Sequence, residues 1–519
     1  MDKIKILWAD DEIELLKPQQ RFLEQKGYDV VTVTNGYDAV AECNEQKNFD
    51  VVFLDESMPG ITGLETLSKI KENFPYLPIV MITKNEAENI MDEAIGSQIS
   101  DYLIKPVNPN QILLTLKKII DNKRLVHSKT SSDYQQDFRQ IFMDINSGLN
   151  YKEWVEIYKR IIGWELKLDA ANSTEMADIL STQKAEANTE FSKYIVDNYS
   201  DWVNAKDGDI PVMSNTLMRK NVFPHIKDEI PTIVLLLDNL RYDQWKTIEP
   251  IITQLFRVES EETFFSILPT STQYSRNAIF SGMMPLEIEK RFPAYWKNDV
   301  DDGGKNQYED KFLLDLVSRS FRKEVKTDYI KVTNVAVAKT LQDNILNYLN
   351  NNLTVIVYNF IDMLSHARTE MEVLKELAGD ETAYRSLTKS WFIHSPLWAA
   401  LQKIAGKEVQ LIVTTDHGTI RVKNPTRVVG DKETTTNLRY KVGRNLQYEK
   451  RDVFEIRDPK KVLLPTPNIS STFIFAKNDL FFLYPNNYNH FHNYYKNTFQ
   501  HGGISLEEII CPIIRLSNK

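Results

Sequence analysis

Several apolar segments in the first part of this 519-residue chain end in a carboxylate, a threonine or a lysine. Asp10 and Asp11 follow one apolar run, Asp55 ends another, and Thr83 and Lys105 end two more. Three clustered carboxylates repel one another unless a hard cation lies among them, and Mg²⁺ suits both carboxylate oxygens and phosphate. Asp55 could then accept a phosphoryl group as a nucleophile, and Thr83 and Lys105 could hold its oxygens.

The apolar runs that precede these residues are predicted strands, and helical stretches separate them. This alternation favours an α/β fold with a doubly wound parallel sheet, in which ligands collect at the carboxyl ends of the strands. The Lys105–Pro106 bond is a candidate cis peptide that would aim the lysine side chain. The predicted strands are 4–9, 30–33, 50–54, 77–82 and 101–104.

The motifs Asp-Asp-Glu, Asp-x-x-Met-Pro-Gly, Thr and Tyr-x-x-Lys-Pro occur in that order, and residues 1–125 resemble a response-regulator receiver domain. The resemblance implies that a sensor histidine kinase phosphorylates Asp55 and that Thr83 and Tyr102 form a switch pair beside Lys105. It also implies that phosphorylation promotes a dimer. The implied magnesium ligands are Asp10, Asp11, Asp55 and the carbonyl of Ser57.

A second set of potential ligands, three aspartates and three histidines, lies in the C-terminal part of the chain. Four of them follow the predicted strands 232–237, 355–361 and 409–415, one lies a helical turn further on, and one lies in a glycine-rich loop. Mixed His and Asp ligands suit zinc, and six are enough for two ions that assist phosphoryl transfer. The six are Asp238, Asp362, His366, Asp416, His417 and His501.

Thr272 is the candidate nucleophile of this second site. It follows an apolar segment and begins a predicted helix, whose positive end would hold phosphate. A hydroxyl on zinc loses its proton near neutral pH, as zinc-bound water does. Thr270 and Ser271 are alternatives, and the offset to Ser281-Gly282 favours Thr272.

The order Asp…Thr…Asp-x-x-x-His…Asp-His-Gly…His-Gly-Gly resembles the alkaline phosphatase superfamily, and more narrowly its PglZ-domain branch, over residues 211–519. The resemblance implies two zinc ions, one of which also touches Thr272. Relatives that cleave monoesters add an arginine near the phosphate, for which Arg276 is a candidate. The implied ligand sets are Asp362, His366 and His501 for one ion and Asp238, Asp416 and His417 for the other.

Residues 421–461 carry twelve basic and six acidic residues within a chain of net charge −9. Tyrosines and a phenylalanine are interleaved with these charges. Charge and stacking together favour a flap that contacts a nucleotide or oligonucleotide substrate. The alternative is a solvated insertion. The candidate substrate contacts are Arg439, Lys441 and Arg444.

Residues 126–210 show apolar residues at helical spacing and predict a helical bundle, preceded by a small, polar, linker-like stretch at 127–133. The segment carries nine basic and fifteen acidic residues. A DNA-binding output domain needs positive charge to neutralise phosphates, so this segment favours a spacer or dimerisation bundle instead.

The overall composition favours a cytoplasmic protein. The two cysteines cannot form a disulfide framework, which fits a reducing compartment. The first residues have no apolar signal core, and the apolar runs are too short for a transmembrane segment.

The three segments in this order resemble the PorX-type response regulators. The resemblance implies a phosphodiesterase that acts on cyclic or linear oligonucleotides, and contact with type IX secretion-system proteins and a sigma factor. The alternative is a non-catalytic signalling adaptor whose zinc domain docks such partners.

Overall fold

Contacts within the chain divide it into two units, Met1–Asp133 and Tyr134–Lys519. Each unit is described by itself. The computed structural model describes residues 4–45, 48–75, 77–84, 99–171, 174–205, 208–370, 379–468 and 470–519.

The first unit is built on a five-stranded sheet in the order β2-β1-β3-β4-β5, and every pairing in it is parallel. This is the predicted doubly wound sheet. Apolar side chains cover both of its faces in two separate core clusters. The strands are β1 (Lys5–Ala9), β2 (Asp29–Val33), β3 (Val51–Asp55), β4 (Ile79–Thr83) and β5 (Asp101–Ile104).

The helix Gly63–Asn73 shows how the chain fixes the end of β3. Thr62 and Glu65 form a capping box that starts this helix. A Cβ atom on Gly63 would lie 2.4 Å from the carbonyl oxygen of Asp55, so only glycine lets the helix approach so closely. The helices that begin in this unit are Lys17–Gln25, Gly36–Asn44, Gly63–Asn73 and Pro109–Ile145.

The predicted helices of the middle segment are present, and they belong to the second unit. The helix Pro109–Ile145 contains the stretch 127–133 that composition favoured as a linker. The helices Tyr151–Ala170 and Thr174–Asn204 share one continuous core with the C-terminal sheet. These two helices are therefore packed into the second unit.

Polar contacts tie the same helices to the C-terminal part of the chain. The Tyr199 hydroxyl accepts a hydrogen bond from the backbone nitrogen of Leu268 at 2.8 Å. Asn188 donates to Glu507 at 3.1 Å and accepts from the backbone nitrogen of Leu506 at 2.8 Å. All three bonds are buried, so breaking them on separation would leave unpaired polar groups.

The main sheet of the second unit has the order β7-β19-β10-β6-β9-β8. Strands β10, β6, β9 and β8 are parallel, whereas β19 is antiparallel to both of its neighbours. The strands are β6 (Thr232–Leu237), β7 (Phe256–Phe265), β8 (Thr327–Val332), β9 (Leu353–Tyr358), β10 (Gln410–Thr414) and β19 (Ile510–Asn518).

Smaller sheets fill most of residues 420–500, which include the region 421–461 predicted as a basic flap. They enclose apolar clusters of their own. Their strands are β11 (Ile420–Arg421), β12 (Asn424–Val429), β13 (Tyr440–Gly443), β14 (Gln447–Tyr448), β15 (Val453–Ile456), β16 (Thr472–Ala476), β17 (Leu480–Leu483) and β18 (Phe499–Gln500).

Helices flank the sheets of the second unit. None of the helices that the structure describes combines the length and the apolar character needed to cross a bilayer. Besides those already given, the α-helices are Tyr242–Ile252, Thr272–Ser281, Pro285–Arg291, Glu309–Ser320, Val335–Asn344, Phe360–Glu370, Glu381–His394, Pro396–Ile404, Tyr488–Tyr495 and Leu506–Ile509.

Candidate metal and phosphate sites

Asp10, Asp55 and Lys105 meet at the carboxyl edge of the first sheet. The Lys105 Nζ lies 2.9 Å from Asp10 Oδ2 and 3.0 Å from Asp55 Oδ2. Asp11 is exposed beside them, and one oxygen from each aspartate falls within 4.8 Å of the others. Burial and the charge of Asp10 raise the pKa of Asp55, although the hydrogen bond to Lys105 opposes the shift. A divalent cation among these oxygens would relieve the same repulsion.

The other predicted receiver residues surround this edge. Thr83 ends β4 and is buried, and its neighbour in β5 is Ile104. Tyr102 lies on β5 with 43% of its surface exposed, and Ser57 is exposed just after β3. The Lys105–Pro106 bond is cis, as predicted.

The six predicted ligands of the second unit form two groups of three. In each group, one possible ligand atom per residue lies within 4.8 Å of the others. Asp238, Asp416 and His417 are completely buried, whereas the His366 side chain is 61% exposed at the edge of the other group. The site therefore has a closed interior and an open side.

Strand ends and one helix turn bring these ligands together. Asp238 follows β6, and Asp416 lies two residues after β10, its parallel neighbour. Asp362 was predicted to follow a strand at 355–361, but that strand ends at Tyr358. Asp362 instead lies in the first turn of the helix Phe360–Glu370, with His366 one turn later.

Backbone carbonyls orient two of the histidines. The Nδ1 of His417 lies 3.2 Å from the Gly418 oxygen, and the Nδ1 of His501 lies 3.1 Å from the Thr270 oxygen. A carbonyl only accepts hydrogen bonds, so Nδ1 carries the proton and Nε2 keeps its lone pair. Burial lowers the pKa of His417 to about 4 and that of His501 to about 3, so both rings are neutral near pH 7.

The carboxylates of this site are held in an environment that disfavours negative charge. Burial raises the pKa of Asp238 to about 6 and raises those of Asp362 and Asp416 as well. The Asp416 Oδ2 atom is buried and has no hydrogen-bond partner among the described residues. A buried carboxylate oxygen that makes no hydrogen bond among these residues and lies 3.8 Å from the Nε2 of the neutral His417 fits a site that binds a divalent cation.

Thr272 lies next to the buried ligand group. Its Oγ1 is 3.1 Å from His417 Nε2 and 3.5 Å from Asp238 Oδ1. It is the first residue of the helix Thr272–Ser281, where backbone N–H groups favour a bound phosphate. Thr270, an alternative nucleophile, uses its hydroxyl to bridge the Gly503 oxygen and the Gly502 nitrogen. The geometry thus favours Thr272 over Thr270.

Arg276 is placed behind the ligands and not beside an open phosphate pocket. Its guanidinium is buried, with Nη1 2.9 Å from Asp238 Oδ2 and Nε 2.6 Å from Glu309 Oε1. It therefore compensates and orients the Asp238 carboxylate. Sequence reasoning missed Glu309, because nothing in its local pattern marks it as the partner of an arginine 33 residues earlier.

The predicted substrate contacts in the basic region have different surroundings from those expected. Arg439 is fully buried and paired with Glu508 at 2.6 Å, and Lys441 is buried with its Nζ on the Thr435 carbonyl. Arg444 is partly exposed and lies 3.2 Å from Glu433. Arg439 makes an ion pair and Lys441 donates to a carbonyl, so both side chains support the fold.

Arg439 supports the loop that carries His501. Glu508, its partner, also accepts a hydrogen bond from the Gly503 nitrogen at 2.9 Å. The Gly503 oxygen in turn accepts from Thr270, whose own carbonyl accepts from His501. The buried ion pair is thus connected by hydrogen bonds to one of the candidate metal ligands.

Family comparisons match three consecutive parts of the chain. The response regulator receiver domain family matches residues 6–117, and the PorX response regulator linker domain family matches residues 124–203. The BREX system PglZ alkaline phosphatase-like domain family matches residues 217–516. Together these matches make up the PorX-type architecture.

Curated relatives are similar over the first part of the chain. The transcriptional regulatory protein ZraR of Klebsiella oxytoca is 32% identical over 140 residues, which are 27% of this chain and 31% of that protein. The alkaline phosphatase synthesis transcriptional regulatory protein PhoP of Bacillus subtilis is 30% identical over 135 residues, 26% of this chain and 54% of that protein. The chain thus spans about a third to a half of the length of these relatives.

Solved receiver structures are similar over the same region. The chemotaxis protein CheY4 of Vibrio cholerae is 29% identical, covering 23% of this chain and 99% of that structure, with a TM-score of 0.22. A receiver domain protein from Clostridium thermocellum is 28% identical, covering 24% of this chain and 98% of that structure, with a TM-score of 0.23.

The loop around His501 leads to a prediction about Gly503. A Cβ atom there would lie 2.5 Å from the Ala476 carbonyl oxygen and 2.7 Å from Arg439 Nη2. Gly503→Ala must therefore shift the loop, and we expect roughly tenfold weaker binding of Zn²⁺, as for other losses of support to a metal ligand. Competition with a chromophoric chelator measures this affinity.

Gly163→Ala is the matched control. Gly163 lies inside the helix Tyr151–Ala170, and an added Cβ would meet nothing within 4 Å. This control should retain Zn²⁺ affinity and gain about 0.5–1 kcal/mol of stability from its higher helix propensity. Equal Zn²⁺ affinities in the two alanine variants would contradict the assigned role of the loop.

Proposed function

This chain belongs to the BREX system PglZ alkaline phosphatase-like family, in the PorX-type arrangement, and we propose that phosphorylation of Asp55 regulates a two-zinc phosphodiesterase within it. The observation that carries the proposal is the position of Thr272. Its hydroxyl lies beside His417 and Asp238 at the beginning of a helix. A nucleophile, metal ligands and an anion-binding helix end thus converge at one place.

The ligand groups are suited to zinc because they combine carboxylate and imidazole donors. We assign one ion to Asp362, His366 and His501, and the other to Asp238, Asp416 and His417. When bound, these ions would supply positive charge that stabilises the oxygens of a phosphoryl group in transfer.

The residues of the chain provide the covalent chemistry. Thr272 Oγ1 loses its proton and forms a bond to phosphorus while the bond from phosphorus to the leaving oxygen breaks on the opposite side. The leaving oxygen takes up one proton and departs as an alcohol. The N–H groups at the start of the helix hold the non-bridging oxygens. Water then cleaves the ester on Thr272 and restores the hydroxyl. Arg276 holds Asp238 in place throughout.

The receiver provides the regulation. Its family implies a partner sensor kinase. We assign the phosphoryl-accepting role to Asp55, the contact with the phosphoryl group to Lys105, and the switch to Thr83 and Tyr102. The proposed Mg²⁺ ligands are Asp10, Asp11, Asp55 and the carbonyl of Ser57.

The proposed substrates are nucleotide phosphodiesters, cyclic or linear. We place the protein in the cytoplasm, where it would regulate type IX secretion, with secretion-system proteins and a sigma factor as partners. The PorX linker match supports this process. The matched families cover a receiver, a linker and a phosphatase-like domain, and none of the three is a DNA-binding domain. We assign these parts to residues 1–125, 126–210 and 211–519.

Thr272→Val tests the proposed nucleophile. The variant keeps the shape of the side chain and removes the hydroxyl, so we expect no turnover of bis(p-nitrophenyl) phosphate and two bound zinc ions per chain. Initial rates and metal analysis measure the two properties. Thr272→Ser, which retains a hydroxyl, is the control and should remain active.

An active valine variant would show that another group attacks phosphorus. If the inactive, zinc-loaded variant still supported full signalling in cells, the signalling role would be that of an adaptor, and catalysis would be dispensable for it.

We also propose that phosphorylation of the receiver produces a dimer. Sedimentation velocity with and without beryllofluoride measures this, since beryllofluoride mimics the acyl phosphate on Asp55. A shift from monomer to dimer is expected for the wild type, and Asp55→Asn should stay monomeric. An unchanged monomer in the wild type would rule out this mode of activation.

A further inference from the structure

A groove of about 620 Å³ opens beside the helix that carries Thr272. Gln273, the residue that follows the proposed nucleophile, forms part of its wall. The remaining wall comes from residues 299, 300 and 305 in one stretch of chain and from residues 432–437 and 440 in another. The chemistry at Thr272 makes no use of this groove, although its volume is typical of ligand sites.

Hydrogen bonds fix the groove relative to the nucleophile. Gln273 Nε2 donates to the Lys297 carbonyl at 2.7 Å, and Asn277 Nδ2 donates to the Lys305 carbonyl at 3.2 Å. Asn306 Nδ2 donates to the carbonyl of Thr272 itself at 3.0 Å. The segment 297–306 is thus attached to the first turns of the helix, and Lys305 adjoins the residue that contacts Thr272.

The acidic side chains of the groove are already engaged. Asp299 accepts hydrogen bonds from the hydroxyls of Tyr274 and Tyr440, and burial raises its pKa. Glu433 lies 3.2 Å from the guanidinium of Arg444. Neither carboxylate therefore opposes an anion in the groove strongly.

Apart from Val300, basic and neutral polar groups make up the rest of the wall. Lys432 is exposed, and the Lys305 ammonium donates to the Asp301 carbonyl, which leaves further N–H groups for a ligand. The stretch Thr434-Thr435-Thr436-Asn437 adds hydroxyl and amide groups along one side. Two lysines beside neutral hydrogen-bonding groups fit a phosphate attached to a sugar.

We propose that this groove is a subsite for a second phosphate, which selects phosphodiesters that carry another phosphate next to the one that Thr272 attacks. The inference rests on the proposed function, because it takes the scissile phosphate to lie at the start of the helix. Lys305 and Lys432 are its specificity-determining residues. A 5′-phosphorylated linear dinucleotide and a cyclic dinucleotide both carry such a second phosphate.

Binding to the full-length Thr272→Val variant, loaded with Zn²⁺, tests the subsite without turnover. Calorimetric titrations compare 5′-phosphorylated diadenylate, cyclic diadenylate and the dinucleoside monophosphate ApA, which has a single phosphate. We expect at least one of the two-phosphate ligands to bind about tenfold tighter than ApA. The tighter of the two shows whether the groove prefers the second phosphate of a linear or of a cyclic dinucleotide. Equal affinities for all three ligands would overturn the proposal.

Lysine substitutions test whether the groove causes the preference for a second phosphate. Lys305→Gln and Lys432→Gln should each lower the affinity for the two-phosphate ligand by about fivefold, because each removes one exposed charge contact. The affinity for ApA should not change. Lys339→Gln, an exposed lysine on the helix Val335–Asn344, is the control and should change neither affinity. If both groove variants left the preference for a second phosphate intact, the groove would not be its site.

Turnover of bis(p-nitrophenyl) phosphate, which has one phosphate, separates this inference from the proposed function. Chains that carry Thr272 with Lys305→Gln or Lys432→Gln should hydrolyse it at the wild-type rate. If the wild type does not hydrolyse any diester, the proposed function fails, while the titrations still decide the subsite. If it does and the titrations show no preference, only the subsite fails.

Discussion

The second unit depends on one constraint, the burial of Asp238, Asp362 and Asp416 at a single edge of its sheet. Burial raises the pKa of each carboxyl, which means that the fold makes their negative charge costly. Arg276 offsets part of this cost, and Glu309 keeps that arginine aligned. The neutral imidazoles of His417 and His501 add lone pairs and no charge, so we propose that divalent cations complete the charge balance.

Both candidate sites use the same structural solution. Parallel strands deliver acidic residues to one edge, and glycines let neighbouring backbone come close, as Gly63 does at β3. In the second unit, helices from the middle segment also support the site. The middle helices contact the short helix before β19 through Asn188 and Glu507, and Glu507 adjoins the Glu508 that pairs with Arg439. The middle segment therefore contributes to the architecture around the candidate metal site.

The sequence predicts the strands and the residues at their ends well, because short apolar runs followed by acidic residues are local patterns. Asp238 and Asp416 fall at strand ends for this reason, whereas Asp362 shows the limit, since the apolar run before it continues into a helix. Charge counts and interleaved aromatic residues predicted Arg439 and Lys441 as substrate contacts. Their burial depends on partners such as Glu508, 69 residues away, and no local pattern records such a pairing.

The stereochemical course at phosphorus tests the account most directly. Each in-line displacement inverts the configuration, so attack by Thr272 followed by attack by water gives two inversions. With a phosphorothioate diester of known chirality hydrolysed in ¹⁸O-labelled water, the account predicts overall retention at phosphorus. Overall inversion would show that water attacks the diester directly, and it would contradict the role given to Thr272.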